Sequence, residues 1–315
     1  MGMDSLVLRE SKLQVSQPLT AEGLLHSMWG SLKPTTQRAY EKDLDCFALF
    51  LSLGSKSEAV DALLSQPHGE ANRTALLYQN HLREAEYSPS TINRRLSTLR
   101  SMVKLANRLG LVPWKLEVPN VKAQSYRDTA GPGTDTVAEM GQKASEDTSP
   151  KGLRDFAMLR LLWDMGLRRG EVVSLDLEHV DLEKDRIWIF GKGRNEREQV
   201  TLPARTREAL EAWISARGTE AGPLFVNFDR AGKGKRLTGT SLYRVVRRLG
   251  KAVGKTARPH GIRHSSITQT LKGNNGNVLE TAGFARHAKI TTTQGYADNL
   301  KDSAGKLAEK LSEAF

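Results

Sequence analysis

The sequence predicts a mainly α-helical protein with one small antiparallel β-sheet, divided into an N-terminal helical domain and a C-terminal domain of mixed α/β character. Three observations carry this expectation. Apolar residues recur at helical spacing through most of the chain. One pair of strand-like runs, Arg186–Phe190 and Glu198–Leu202, lies either side of a tight glycine turn. Proline and glycine break the helical pattern between Val112 and Pro150, which puts a linker at about residues 115–130. A chain of 315 residues is long enough for two cores.

Residues 1–16 show no clear periodicity and read as a flexible arm. The first domain covers residues 17–114. Thr20 caps a helix carrying Leu24, Leu25 and Met28. Pro34 opens a second helix, in which Tyr40, Leu44, Phe47 and Leu51 share one face and Gly54 is the stop. Cys46 falls in this apolar stripe and is expected to be a small core residue. Shorter helices follow around Glu58–Leu64 and Asn72–Glu84. Ser88-Pro89 supplies a cap and a first-turn proline to a long helix buried through Ile92, Leu96, Leu99 and Val103. Arg100, Lys104 and Arg108 repeat along another face of that helix, with Arg94 and Arg95 nearby. Taken alone, such a stripe is a solvated face.

The second domain covers residues 131–300. A helix is expected over Thr134–Lys143, a polar loop over Gly141–Lys151, and an apolar helix over Leu153–Met165 that Gly166 stops. Arg168 then stands at the junction into a short helix whose Val172, Val173 and Leu175 pack inward. Between the two strands, Gly191–Asn195 forms a turn with Lys192 at its tip. Helices follow over Ala204–Ala216 and Ser241–Val253, the second carrying Arg244, Arg247, Arg248 and Lys251. Residues 301–315 form a tail helix with Leu307, Leu311 and Phe315 along one edge.

The formal net charge of +11 favours a polyanionic partner. The single cysteine allows no internal disulfide and suits a reducing cytoplasm. No secretory signal and no apolar run of transmembrane length is evident, so a soluble cytoplasmic protein without a membrane partner is expected.

The chemistry concentrates between Arg258 and Tyr296. This stretch holds Arg258-Pro259-His260-Gly261-Ile262-Arg263-His264, then Gly283-Phe284-Ala285-Arg286-His287, then Gln294-Gly295-Tyr296. With Arg168 and Lys192 upstream, the set describes a phosphate site with a nucleophile. Arginines fork onto non-bridging phosphate oxygens. Histidines donate hydrogen bonds or move protons near neutral pH. A lysine can protonate a leaving oxygen, and a tyrosine hydroxyl can form a covalent phosphoryl link. No carboxylate cluster stands ready for a metal, so neither metal nor other cofactor is expected. His260 and His264 have a spacing that can bind zinc, but no third ligand lies nearby; His264 is expected to pack beneath its helix and orient its neighbours.

The order Arg168, Lys192, His260, Arg263, His287, Tyr296 resembles the tyrosine site-specific recombinase (phage integrase, Xer-like) family, over roughly residues 17–300. The resemblance implies an N-terminal core-binding domain that clamps DNA, followed by a catalytic domain. It implies that Tyr296 becomes joined to a 3′ phosphate of duplex DNA and that Arg168, Arg263 and His287 stabilise the phosphate oxygens. Lys192 would protonate the leaving 5′ oxygen, His260 would assist proton movement at the tyrosine, and Glu171 would steady Arg168. It further implies four protomers on two DNA sites, a tail that docks on a neighbour, and no need of ATP or metal. In that light Arg94, Arg95, Arg100, Lys104, Arg108, Arg244, Arg247, Arg248 and Lys251 become expected DNA contacts. The family often has Leu-Gly-His where this chain has Ala285-Arg286-His287; Arg286 and Arg169 are expected to touch the DNA backbone only. Two other readings share parts of this set: a type IB topoisomerase that relaxes DNA, and a non-enzymatic DNA-binding protein with a decayed site.

Overall fold

The computed structural model describes residues 20–122, 131–190, 197–230, 232–297, 309 and 311–313. The chain forms two compact units, Met1–Ser125 and Tyr126–Phe315. The expected arm at 1–16 lies outside the described residues.

The first unit is helical: α1 (Ala21–Gly30), α2 (Pro34–Phe50), α3 (Lys56–Leu64), α4 (His68–Glu84) and α5 (Pro89–Arg108). Its core closes around Leu24, Leu44, Phe47, Leu63, Leu96 and Leu99, all fully or almost fully buried. Thr20 and Ser88 cap as expected, accepting backbone N–H bonds from Gly23 at 3.2 Å and Thr91 at 3.3 Å. Helix α4 starts at His68, ahead of the expected Asn72, because Pro67 sits at the cap position, where its missing N–H costs the helix nothing. Helix α2 ends at Phe50, and Ser52 rather than Gly54 takes the left-handed turn, with φ 58°. Cys46 is half-buried at the core margin rather than inside it.

The basic stripe of α5 divides by burial. Lys104 and Arg108 are exposed. Arg95, expected among the DNA contacts, is instead buried: its side chain is 7% exposed, 3.9 Å from the Asp43 carboxylate and stacked 4.1 Å over the Tyr87 ring. Arg94 also pairs with Asp43, which accepts a 2.9 Å bond from the Thr98 hydroxyl. Arg100 is a strap, donating to the carbonyls of Leu96 and Val118 at 3.3 Å and to Asn120 Oδ1 at 2.6 Å. Spacing alone could not separate these, because a guanidinium on a long stem reaches buried acceptors from a face that looks solvated.

The second unit begins with α6 (Thr134–Ser145) and α7 (Pro150–Asp164). Helix α6 runs through part of the expected loop at 141–151, since Met140 and Ala144 pack into the core. Helix α8 (Arg169–Val173) leads into a three-stranded antiparallel sheet in the order β1 (Val180–Asp181), β2 (Arg186–Phe190), β3 (Arg197–Thr201). Strand β1, unforeseen, is too short to show a period. In β2 the inward Ile187 and Ile189 are fully buried. The β2–β3 register runs from Arg186 opposite Thr201 to Phe190 opposite Arg197; Lys192, beyond this pair, lies outside the described residues.

Helices α9 (Ala204–Arg217), α10 (Gly239–Ala252), α11 (Pro259–Gly273), α12 (Val278–Ala285) and α13 (Ile290–Ala297) complete the unit. Helix α10 buries Leu242, Val246 and Leu249 and exposes Arg244, Arg247 and Lys251. Its Arg248 pairs with the buried Asp155, which Arg154 also holds at 2.7 Å. Of the expected tail helix, Glu309 and residues 311–313 are helical, and Leu311 is 69% exposed. No helix among the described residues is long and apolar enough to cross a membrane.

Asp43 is 2% exposed and faces both Arg94 and Arg95. Asp43→Ala leaves the buried Arg95 without its counter-charge and should destabilise the protein by about 3–5 kcal/mol, read as a lower denaturation midpoint; an unchanged midpoint would remove Asp43 from the account of this core.

Candidate active site

The site gathers the ends of α7, α11 and α12 with α8 and α13. Gly166, at φ +53°, turns the chain out of α7, and a Cβ there would press to 3.1 Å on the Phe284 ring. The turn at Gly131, with φ +59°, packs against the first turn of α11; a Cβ on Gly131 would sit 2.2 Å from the Gly261 carbonyl oxygen. Ser265 Oγ accepts the Gly133 N–H at 3.0 Å. Helix α11, opened by Pro259 at its first position, is thus clamped at the end that carries His260, Arg263 and His264.

Arg168 occupies the N-cap position of α8, and Glu171 folds back onto it. The carboxylate accepts the Arg168 backbone N–H at 2.8 Å and its guanidinium at 2.7 Å. Arg263 is 1% exposed. It donates through Nη1 to the Gly166 carbonyl and through Nη2 to the Ala285 carbonyl, the latter at 2.5 Å. Each Nη keeps a second hydrogen for another acceptor. Burial and the Arg168 charge lower the Arg263 pKa to about 9, which leaves it charged at neutral pH. Burial raises the Glu171 pKa, but hydrogen bonds from Arg168 and the charges of Arg286 and Arg168 outweigh it, so the carboxyl lies below its ordinary value.

Tyr296, on α13, is 4% exposed, and its hydroxyl lies 2.5 Å from His264 Nδ1. The His264 ring centre is 4.0 Å from that of His260 and 5.3 Å from that of Tyr296. His287 lies 6.0 Å from Tyr296, ring to ring, and its Nδ1 is 2.8 Å from the Thr293 hydroxyl. The structure therefore brings Arg168, Glu171, His260, Arg263, His264, His287 and Tyr296 together, with Lys192 outside the described residues. His264, expected as a supporting residue beneath the helix, is the histidine in contact with the tyrosine hydroxyl, while His260 stands behind it. Arg286, expected to reach outward to DNA, is turned inward: its side chain is 5% exposed and lies 3.5 Å from Glu171. Its neighbour on the expected backbone-contact list, Arg169, is exposed. The inward turn of Arg286 goes with a left-handed backbone at φ 51° and with the Glu171 carboxylate as partner, neither of which an apolar pattern reports.

Among the described residues, Asp176, Glu178 and His179 are close enough to suggest a metal site. The bonding argues against one. His179 Nδ1 accepts the Asp176 N–H at 2.8 Å, so Nε2 keeps its proton, and Asp176 is paired with Arg236.

A helical unit followed by a mixed unit with a convergent Arg–His–Tyr cluster defines a class, DNA strand-exchange enzymes with a tyrosine at the centre, and comparison with known proteins agrees. The phage integrase family matches residues 135–303, and the chain belongs to that family. A tyrosine recombinase of Synechococcus elongatus is 36% identical over 287 residues, covering 89% of each chain. A second, from Synechocystis sp., is 34% identical and covers 89% of this chain and 91% of its own. The integrase of the Tn1549 transposon, solved in complex with transposon right end DNA, shares the fold at a TM-score of 0.65 and 17% identity, covering 93% of this chain and 99% of that one. The protein is a recombinase enzyme, which sets aside the non-enzymatic reading.

Burial, with Arg263, Arg168 and Arg286 close by, lowers the His287 pKa to about 4, so the imidazole is neutral at pH 7. In the unfolded chain it takes up a proton near 6.5. Between about 6.5 and 4 the unfolded state therefore holds more protons, and His287 makes stability fall as pH falls through that window. His287→Asn should lose less stability than the parent over this range, and the His287 ring resonance should titrate near 4. A midpoint near 6.5 would contradict the cationic surroundings described here.

Proposed function

We propose that this protein is a site-specific recombinase that cuts and rejoins duplex DNA through a covalent 3′-phosphotyrosine bond at Tyr296, without metal or ATP. The convergence of Arg168, Arg263, His264 and His287 around Tyr296 carries the reading. The tyrosine oxygen attacks a backbone phosphorus, the bond to the 5′ oxygen breaks, and the 3′ phosphate stays on the tyrosine. The 2.5 Å contact supports His264 as acceptor of the phenolic proton, the part the sequence reading gave to His260. Arg168 and Arg263 meet the negative charge that builds on the non-bridging oxygens, a type of help worth about 3 kcal/mol per donor. A Thr293 hydroxyl donated into His287 Nδ1 leaves Nε2–H to point at the same oxygens. Lys192 protonates the leaving 5′ oxygen. Attack by the 5′ hydroxyl of a partner strand reverses the step and conserves the bond energy.

Arg94, Lys104 and Arg108 on the first unit and Arg244, Arg247, Arg248 and Lys251 on α10 supply phosphate contacts, which position the enzyme without reading bases. Arg95 and Arg100 are held by structural partners; Arg94 and Arg248 also pair, with Asp43 and Asp155, but their side chains stay 44% and 51% exposed and can still meet a phosphate. The working assembly is four protomers on two DNA sites, with the C-terminal tail passed between neighbours. The single cysteine and the basic charge suit work on DNA in the cytoplasm.

The test is denaturing electrophoresis of protein mixed with a nicked duplex carrying its site, recovered by sequencing DNA held by the protein in cells. Tyr296→Phe should bind that duplex with unchanged affinity and still assemble a four-protomer complex on paired sites, yet give no denaturation-resistant band. A band from the variant would overturn the assignment, and paired-site complexes of another size would overturn the tetramer. Lys192→Ala should cleave poorly on normal DNA and recover on a substrate with sulfur at the 5′ bridging position, because a thiolate leaves without a proton. Equal slowness on both substrates would give the lysine another role.

A further inference from the structure

Arg286 stands where the sequence reading left no role for it inside the site. It follows α12 in the left-handed region, at φ 51° and ψ 48°, a conformation that suits glycine and that an arginine side chain disfavours. Its guanidinium is nevertheless packed away from solvent and bonded on several sides. Nη1 donates to the Phe284 carbonyl at 3.1 Å, and Nη2 donates to the Met165 and Gly166 carbonyls at 3.2 and 3.3 Å. Nη2 also lies 3.5 Å from Glu171 Oε2. Nε is buried without a partner.

Two of these acceptors are shared. Glu171 is the carboxylate that holds Arg168, and the Gly166 carbonyl is one of the two that hold Arg263. The backbone carbonyl of Arg286 accepts from Arg168 Nη2 at 3.4 Å, and that of the preceding Ala285 accepts from Arg263. Arg286 is thus bonded to what holds each arginine, from a single residue. An arginine with no task here would turn outward, since burying an unneeded cation is costly. The proposal rests on reading Arg168 and Arg263 as the phosphate-binding pair.

We propose that Arg286 is a positioning residue: its buried guanidinium locks Glu171 and the Gly166 carbonyl and so fixes Arg168 and Arg263 at the separation that a phosphate needs. It touches no reacting atom. Its effect passes through Glu171 on one side and the α7 turn on the other. Removing its side chain leaves the two arginines charged and present but free to shift, so binding survives while the chemical step slows.

The test uses the full-length protein and the nicked duplex described above, in single-turnover cleavage. Arg286→Gly suits the left-handed backbone, so only the side-chain bonds are lost. Cleavage should slow about 10- to 100-fold, the range found for partners that orient metal-binding side chains, with DNA affinity near that of the parent when both are assayed well below the variant's melting temperature. Arg286→Lys, which keeps the charge but cannot span the same acceptors, should fall between the two. In a double-mutant cycle with Glu171→Gln, the two losses should multiply only in part, because one of the two routes from Arg286 runs through that carboxylate. The ring resonance of His287 in Arg286→Gly should titrate higher than in the parent, which is a readout independent of cleavage. Parent-like cleavage by both variants, or losses that multiply in full, would overturn the proposal. A parent protein that forms no adduct on this duplex would instead overturn the phosphate-site reading beneath it, whatever the Arg286 variants did to His287.

Discussion

Glu171 is a carboxylate closed in among cations, and the geometry of the site depends on it. At an effective dielectric near 20, like charges about 4 Å apart repel by about 4 kcal/mol. Arg168 and Arg286 both lie within ion-pair distance of Glu171, and the buried Arg263 stands close enough for its pKa to be lowered by the Arg168 charge. Such a group holds together only around an anion. Glu171 supplies one permanently, and the hydrogen bonds it accepts keep it ionised despite burial. Glu198 also acts on Arg286, and among the described residues the three arginines still outnumber the two carboxylates, a surplus that a DNA phosphate is suited to meet.

That surplus also sets the state of the histidines. His260 and His287 are both pushed below their ordinary pKa, first by burial and then by the neighbouring arginines. Neutral imidazoles can accept or donate through a chosen nitrogen, whereas charged ones can only donate. His264 Nδ1 lies against the tyrosine hydroxyl and His287 Nδ1 against the Thr293 hydroxyl, so the two rings sit on different hydroxyl partners.

Much of this was legible in the sequence. Helical spacing located the long helices, and the caps at Thr20 and Ser88 and the stop at Gly166 marked boundaries by chemistry that acts locally. The order of Arg168, His260, Arg263, His287 and Tyr296 pointed to the site only as a set, since each of these residues taken alone has an ordinary structural use. What stayed hidden depends on side-chain direction. Arg95 and Arg286 look like surface cations until the partners that draw them inward, Asp43 and Glu171, are brought near by folding. That His264 rather than His260 meets the tyrosine hydroxyl is a matter of one turn of helix, a difference that spacing cannot rank. Strand β1 and the last turn of α6 are set by tertiary contacts on residues whose own preferences are weak.

Everything proposed for the site turns on Tyr296 as the covalent link between protein and DNA. Mass-spectrometric mapping of the peptide that stays on DNA after trapped cleavage tests it most directly. The expected product is a phosphate ester on the peptide containing Tyr296, joined to the 3′ end of the cut strand. Attachment at Tyr243 or any other residue, or at a 5′ end, would contradict it.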